Sequence, residues 1–97
     1  MGLGIAEIIG DKREQILHLA EEFGATDLRI FGSVLRGEAD ENSDIDFLVH
    51  FTKADFFNRM ELKESLESLL HRKVDVVSDT ALDKYIAPYI LSEATPL

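Results

Sequence analysis

Apolar residues recur along this chain with two different periods, and the alternation between them lays out the expected elements. Ile16, Leu17, Leu19, Ala20 and Phe23 return at helical spacing, with Glu21 and Glu22 left to solvent and Gly24 as the stop. Asp11 suits the N-cap, and Glu14 three residues on completes a capping box. This predicts an amphipathic helix of about three turns. Upstream, Met1 to Gly10 is weakly patterned, with Ile5, Ile8 and Ile9 packing as a partial helical turn.

The period then changes. Leu28-Arg29-Ile30-Phe31 predicts a strand ending at Gly32-Ser33, Val34 to Gly37 the start of a short helix, and Glu38 to Asn42 an acidic loop. From Asp44 to Phe51 the residues alternate, with Ile45, Phe47, Val49 and Phe51 on one face and Asp44, Asp46, Leu48 and His50 on the other. Ala54 to Arg72 predicts a second long helix, with Phe56, Phe57, Met60, Leu62, Leu66, Leu69 and Leu70 as core contacts. Asp55 falls in its first turn, where a negative charge suits the helix dipole. Lys73 to Ser78 predicts a third strand. Asp79-Thr80 would cap a last helix from Ala81 to Glu93, interrupted at Pro88, on which Tyr85 and Tyr89 pack one turn apart.

Strands separated by helices predict an α/β (α+β) architecture, a small mixed sheet with helices packed on it. The link from Gly32 to Ser43 is barely long enough for a parallel crossover, so the relative direction of the first two strands stays open. A length of 97 residues provides one domain, residues 1–97, and not two.

Composition narrows the function. Ten basic residues against 19 acidic ones leave a net charge of −9, a poor surface for a nucleic-acid backbone. Direct nucleic-acid binding is therefore not expected. No cysteine is present, which removes disulfides and thiolate metal sites and fits a reducing compartment. No apolar run approaches the roughly 20 residues of a membrane span, and the N-terminus lacks a basic region followed by an apolar one. The expectation is a soluble, cytoplasmic protein with no membrane contact.

Chemistry concentrates between Gly32 and Asp75. Asp44 and Asp46, two apart on a strand, project to the same face, and such a pair repels unless it shares a proton or a cation. A solvated strand mouth is the bland alternative. Asp75 interrupts the β-branched run Val74-Asp75-Val76-Val77, where a buried unpaired carboxylate would be costly. If the two strands are neighbours, three carboxylates converge, a donor set that suits Mg²⁺. Gly32-Ser33 offers close backbone approach, amides and a hydroxyl to phosphate oxygens. Arg36 could meet a phosphate, or Glu38 or Asp40. Ser43 could orient a carboxylate or cap the loop. The three histidines, His18, His50 and His71, form no site by spacing.

The run Gly-Ser-x-x-Arg-Gly-x-Ala-x-x-x-Ser-Asp-x-Asp, from Gly32 to Asp46, resembles the minimal nucleotidyltransferases of the DNA polymerase β-like superfamily. Leu35 stands where a small residue is frequent, and Phe47 where leucine is usual. The resemblance is closest to the antitoxin type encoded beside a HEPN-domain ribonuclease toxin. It implies the nucleotidyltransferase fold and Mg²⁺-dependent transfer of AMP from ATP to a tyrosine of the toxin, with two ions expected. It also implies a hetero-oligomer with that toxin. Carried over by position, Asp44, Asp46 and Asp75 are the catalytic and metal-binding carboxylates, and Gly32, Ser33, Arg36 and Ser43 the nucleotide-binding residues. Asp75 would share a second ion or act as general base. Two other readings compete: a non-catalytic module that masks its partner, and nucleotidyl transfer to a small molecule.

Overall fold

The computed structural model describes residues 2–52 and 56–97. Ala54 and Asp55, expected in the second long helix, lie outside the described residues, as does the side chain of Phe56.

The first amphipathic stripe forms helix α2, Arg13–Glu22, preceded by a short turn of helix α1, Ile5–Ile8. Ile16 and Ala20 of α2 are buried, and Leu17, Leu19 and Phe23 pack partly against the same core. Lys12, not Asp11, holds the N-cap position, and no side chain caps that end. Gly10 with φ +57° turns the chain just before it, which carries Asp11 out of capping position. A carboxylate instead reaches back one helix earlier, where the Gly4 amide donates to Glu7 Oε2 at 3.3 Å. Gly24 with φ +76° ends α2 as its sequence position indicated.

Strand β1 spans Ala25–Phe31, longer than the apolar run Leu28–Phe31. Its early part is irregular: the pairing shifts between Thr26 and Arg29, and Asp27 sits at φ +51°. A bulge of this kind breaks the alternation, so the first half of the strand carries no period-2 signal. After α3, Gly32–Arg36, strand β2 runs from Ile45 to Phe51, helix α4 from Phe56 to Leu70 and strand β3 from Val74 to Ser78. The sheet order is β3-β2-β1-β4, with β1 antiparallel to β2 and β2 parallel to β3. The short link of α3 and the acidic loop thus returns the chain antiparallel, while α4 makes the crossover that a parallel pair needs.

One face of the sheet carries the core. Ile30, Ile45, Phe47, Val49, Val74 and Val76 meet Ile16 and Ala20 of α2 and Leu62 and Leu66 of α4, all buried. Among the described residues no polar or charged residue is buried with them. Leu48, on the opposite face, is nevertheless 1% exposed. Phe57, expected in the core, is 70% exposed at the start of α4.

The C-terminal segment departs most from expectation. Asp79–Ala81 is a single 3-10 turn capped by Ser78, and α5 spans only Ala87–Glu93. Pro88 lies in the first turn of α5 and opens the helix, because a proline there gives up an amide that has no helical partner anyway. Tyr85 and Tyr89 are each 75% exposed and stand outside the buried core, with Lys84 Nζ over the Tyr85 ring. A two-residue strand β4, Thr95–Pro96, then pairs antiparallel with β1. Nothing in its composition marks it as a strand. Among the described residues no helix is long and apolar enough to cross a membrane.

Candidate active site

The alternation of β2 sends Asp46 to the face away from the core, and register supplies its neighbours. Asp46 pairs with Phe31 at the end of β1 on one side and with Asp75 of β3 on the other. Parallel partners project to the same face, so Asp46 and Asp75 share it, and Asp44 precedes β2 by one residue on that same side. The start of β3 is fixed from the helix layer: the Val74 amide donates to Glu67 Oε2 at 3.0 Å, and Arg59 Nη1 donates to the Val76 carbonyl at 3.2 Å.

Gly32 closes the other side. It adopts φ +78°, and a Cβ built there would collide with the Asp46 carboxylate. The glycine is thus required twice, by its backbone conformation and by the close approach of Asp46. Ser33 follows in the first turn of α3, half-buried.

The electrostatics single out Asp46. Burial, and then the charges of Asp75 and Asp44, push its pKa up from 3.8 to about 6, against the pull of Arg36. Asp44 and Asp75 are exposed. Among the described residues no three acidic or imidazole side chains are gathered closely enough to hold a metal ion. Like charges held by neighbouring backbones spread their side chains apart, so the arrangement is a carboxylate face and not a closed cage.

Arg36 and Ser43 have definite partners. Arg36 Nη1 donates to Glu93 Oε1 at 2.6 Å, and Arg36 Nε to Glu38 Oε2 at 3.2 Å. Glu93 also accepts the Gly32 amide through Oε2 at 3.1 Å. Bonding to Arg36 holds the Glu93 carboxyl below its ordinary range, and bonding to Glu93 and Glu38 raises the Arg36 guanidinium above its own. Ser43 caps the acidic loop: its Oγ accepts the Asp40 amide at 2.9 Å and lies 3.2 Å from Asp40 Oδ1, which accepts the Asn42 amide at 2.8 Å. Arg72 Nη1 adds bonds to the carbonyls of Asp40 and Ser43, at 2.7 and 3.1 Å. The loop therefore has a structural task, holding Asp44 at the mouth of β2. Beside Asp44, a polar cleft of about 330 Å³ opens between residues 41–44 and His71, Arg72 and Lys73.

His50 Nδ1 lies 3.0 Å from Asp79 Oδ1, tying β2 to the 3-10 turn. His18 and His71 are exposed. The structure thus brings Gly32, Asp46 and Asp75 together with Asp44 beside them, turns Arg36 toward Glu93, and assigns Ser43 to the loop. Glu93 was not legible beforehand, because its approach depends on β4.

Comparison with known proteins identifies the family and the fold. The family "Polymerase beta, Nucleotidyltransferase" matches residues 14–97. Protein adenylyltransferase MntA of Thermococcus cleftensis is 43% identical over 76 residues, 77% of each chain. A solved structure described as a candidate minimal nucleotidyltransferase superposes with TM-score 0.85 at 42% identity, covering 100% of this chain and 97% of that one. A toxin–antitoxin crystal structure with AMP-PNP superposes with TM-score 0.75 at 26% identity, covering 86% and 69%. The small mixed sheet is thus that of a known enzyme class, and the chain belongs to the polymerase beta nucleotidyltransferase family, among the minimal protein adenylyltransferases.

Proposed function

We propose that this chain is an antitoxin that transfers AMP from ATP, with Mg²⁺, to a tyrosine of a HEPN-type ribonuclease partner and thereby silences it. The observation that carries this reading is Asp46, set between the backbone of Gly32 and the register partner Asp75 and pushed toward neutrality first by burial and then by the charges of Asp75 and Asp44. Such an arrangement is unfavourable in isolation and becomes favourable when a cation and an anionic substrate arrive together. Similarity to a named protein adenylyltransferase and to a toxin–antitoxin complex with AMP-PNP supports the choice of substrate and partner.

The donors fit a hard cation. Asp44, Asp46 and Asp75 offer only carboxylate oxygens, the ligands Mg²⁺ takes when water and phosphate complete its shell. When bound, Mg²⁺ supplies charge neutralisation at the triphosphate and at the acceptor oxygen. The chain's own part is placement. The Gly32 and Ser33 amides and the Ser33 hydroxyl hold phosphate oxygens. Arg36 adds a cation beside them. A phenolic oxygen of the partner forms a bond to the α-phosphorus as the bond to the leaving pyrophosphate breaks. Asp75, exposed on the edge strand, either shares a second ion or takes the phenolic proton. A surface of net charge −9 suits a basic partner.

The test is mass. The protein, Mg²⁺, ATP and the product of the adjacent gene are incubated, and the partner is weighed by mass spectrometry. An AMP-sized increment on a partner tyrosine, abolished by Asp44→Ala with Asp46→Ala, is the expected result. A partner silenced at unchanged mass, equally well by the double variant, would overturn the reading in favour of masking.

A further inference from the structure

Glu93 enters the site because of how the chain ends. Strand β4 pairs with β1 so that Thr95 faces Ile30 and Pro96 faces Arg29. Glu93, the last residue of α5 and two positions before Thr95, is thereby brought beside Gly32. Its carboxylate accepts the Gly32 amide through one oxygen and the Arg36 guanidinium through the other, at 3.1 and 2.6 Å. An oxyanion held by a backbone amide and an arginine is bound as a phosphate oxygen would be.

We propose that Glu93 is an intramolecular stand-in for phosphate, and that nucleotide binding requires the 87–97 segment to release it from Gly32 and Arg36. The proposal rests on the nucleotide site described above and adds its regulation. Two physical arguments support it. The Gly32 amide and the Arg36 donor that Glu93 engages cannot serve a triphosphate oxygen at the same time. The segment that must move is lightly anchored except at its last residue: α5 has no fully buried residue and β4 is two residues long, while Leu97 packs partly on the core and bonds to Leu28 and Arg13. Regions with so little burial open at low free-energy cost. The contact is consequently weak enough to yield to substrate and strong enough to raise the nucleotide concentration needed.

The test uses the intact chain with AMP-PNP and Mg²⁺, by calorimetry and by hydrogen exchange. Glu93→Gln keeps the shape and removes the charge. It is expected to bind AMP-PNP about 2- to 5-fold more tightly than wild type, the range for losing a solvent-screened ion pair. In wild type, exchange across residues 87–97 should rise when AMP-PNP is added. In Glu93→Gln it should already be raised without nucleotide. Should Glu93→Ala fail to fold, the isosteric variant and the wild-type exchange data still decide. Wild type that binds AMP-PNP with exchange at 87–97 unchanged overturns the proposal. So does a Glu93→Gln protein that binds no more tightly than wild type; Glu93 would then position Arg36 for the substrate. If neither wild type nor variant binds AMP-PNP, the nucleotide site itself is refuted, and the latch with it.

Discussion

Replacing Asp46 by asparagine should make the metal-free protein more stable, although Asp46 is central to the proposed chemistry. Folding raises the Asp46 pKa from 3.8 to about 6, first through burial and then through Asp75 and Asp44. The folded chain therefore holds this proton more tightly than the unfolded one. Its contribution favours folding below the unfolded value and is lost as pH rises through about 6, leaving an unfavourable charge at neutral pH. A difference of about 2 pH units corresponds to about 3 kcal/mol at most. Asp46 is only half-buried, so solvent screening reduces this to about 1–2 kcal/mol. For a domain of this size that is a rise in melting temperature of about 5–10 °C. Thermal and urea unfolding of wild type and Asp46→Asn, at pH 7.5 and at pH 3.5 without divalent ions, measure it. The gain should be present at pH 7.5 and absent at pH 3.5, where the wild-type carboxyl is already protonated in the folded state. Adding Mg²⁺ at pH 7.5 should stabilise wild type more than the variant. A variant no more stable than wild type at pH 7.5, or equally favoured at pH 3.5, would refute the reasoning.

Gly32→Ala should lose about 1–3 kcal/mol of stability, because φ +78° is strained for alanine and its methyl meets the Asp46 carboxylate; an unchanged melting temperature would count against that geometry. Leu66→Ala, at a fully buried position of α4, should cost about 2–5 kcal/mol in urea unfolding, and a smaller loss would mean that the sheet and helices close the cavity. Arg72→Ala removes the donor to Asp40 and Ser43 and should cost about 1 kcal/mol. Its signature is faster hydrogen exchange at residues 40–43, and unaltered exchange there would show that the Ser43–Asp40 bonds hold the loop alone.

Much of this protein is local information. The period-2 run of β2 fixes both its buried face and the projection of Asp46, because side-chain direction on a strand depends only on parity. The stop at Gly24 and the core positions Ile16, Ala20, Leu62 and Leu66 follow from helical spacing in the same way. The glycine required at position 32 and the spacing to Asp44 and Asp46 are likewise written in the chain. Other features were decided only by packing. Asp75 becomes the neighbour of Asp46 because β3 pairs parallel with β2, and no residue near Asp75 encodes that register. Pro88 reads as an interruption in sequence and proves to be a helix start, since the chain before it does not continue as helix. Tyr85, Tyr89 and Phe57 are apolar enough for a core yet stand exposed, while the helix-covered face of the sheet is lined by other residues of α2 and α4. Glu93 is the clearest case. A two-residue strand has no periodicity to detect, yet its pairing with β1 carries a carboxylate across more than 50 residues of sequence to Gly32. Sequence determines which groups line the face around Asp46; the return of the C-terminus determines that Glu93 meets Gly32 and Arg36.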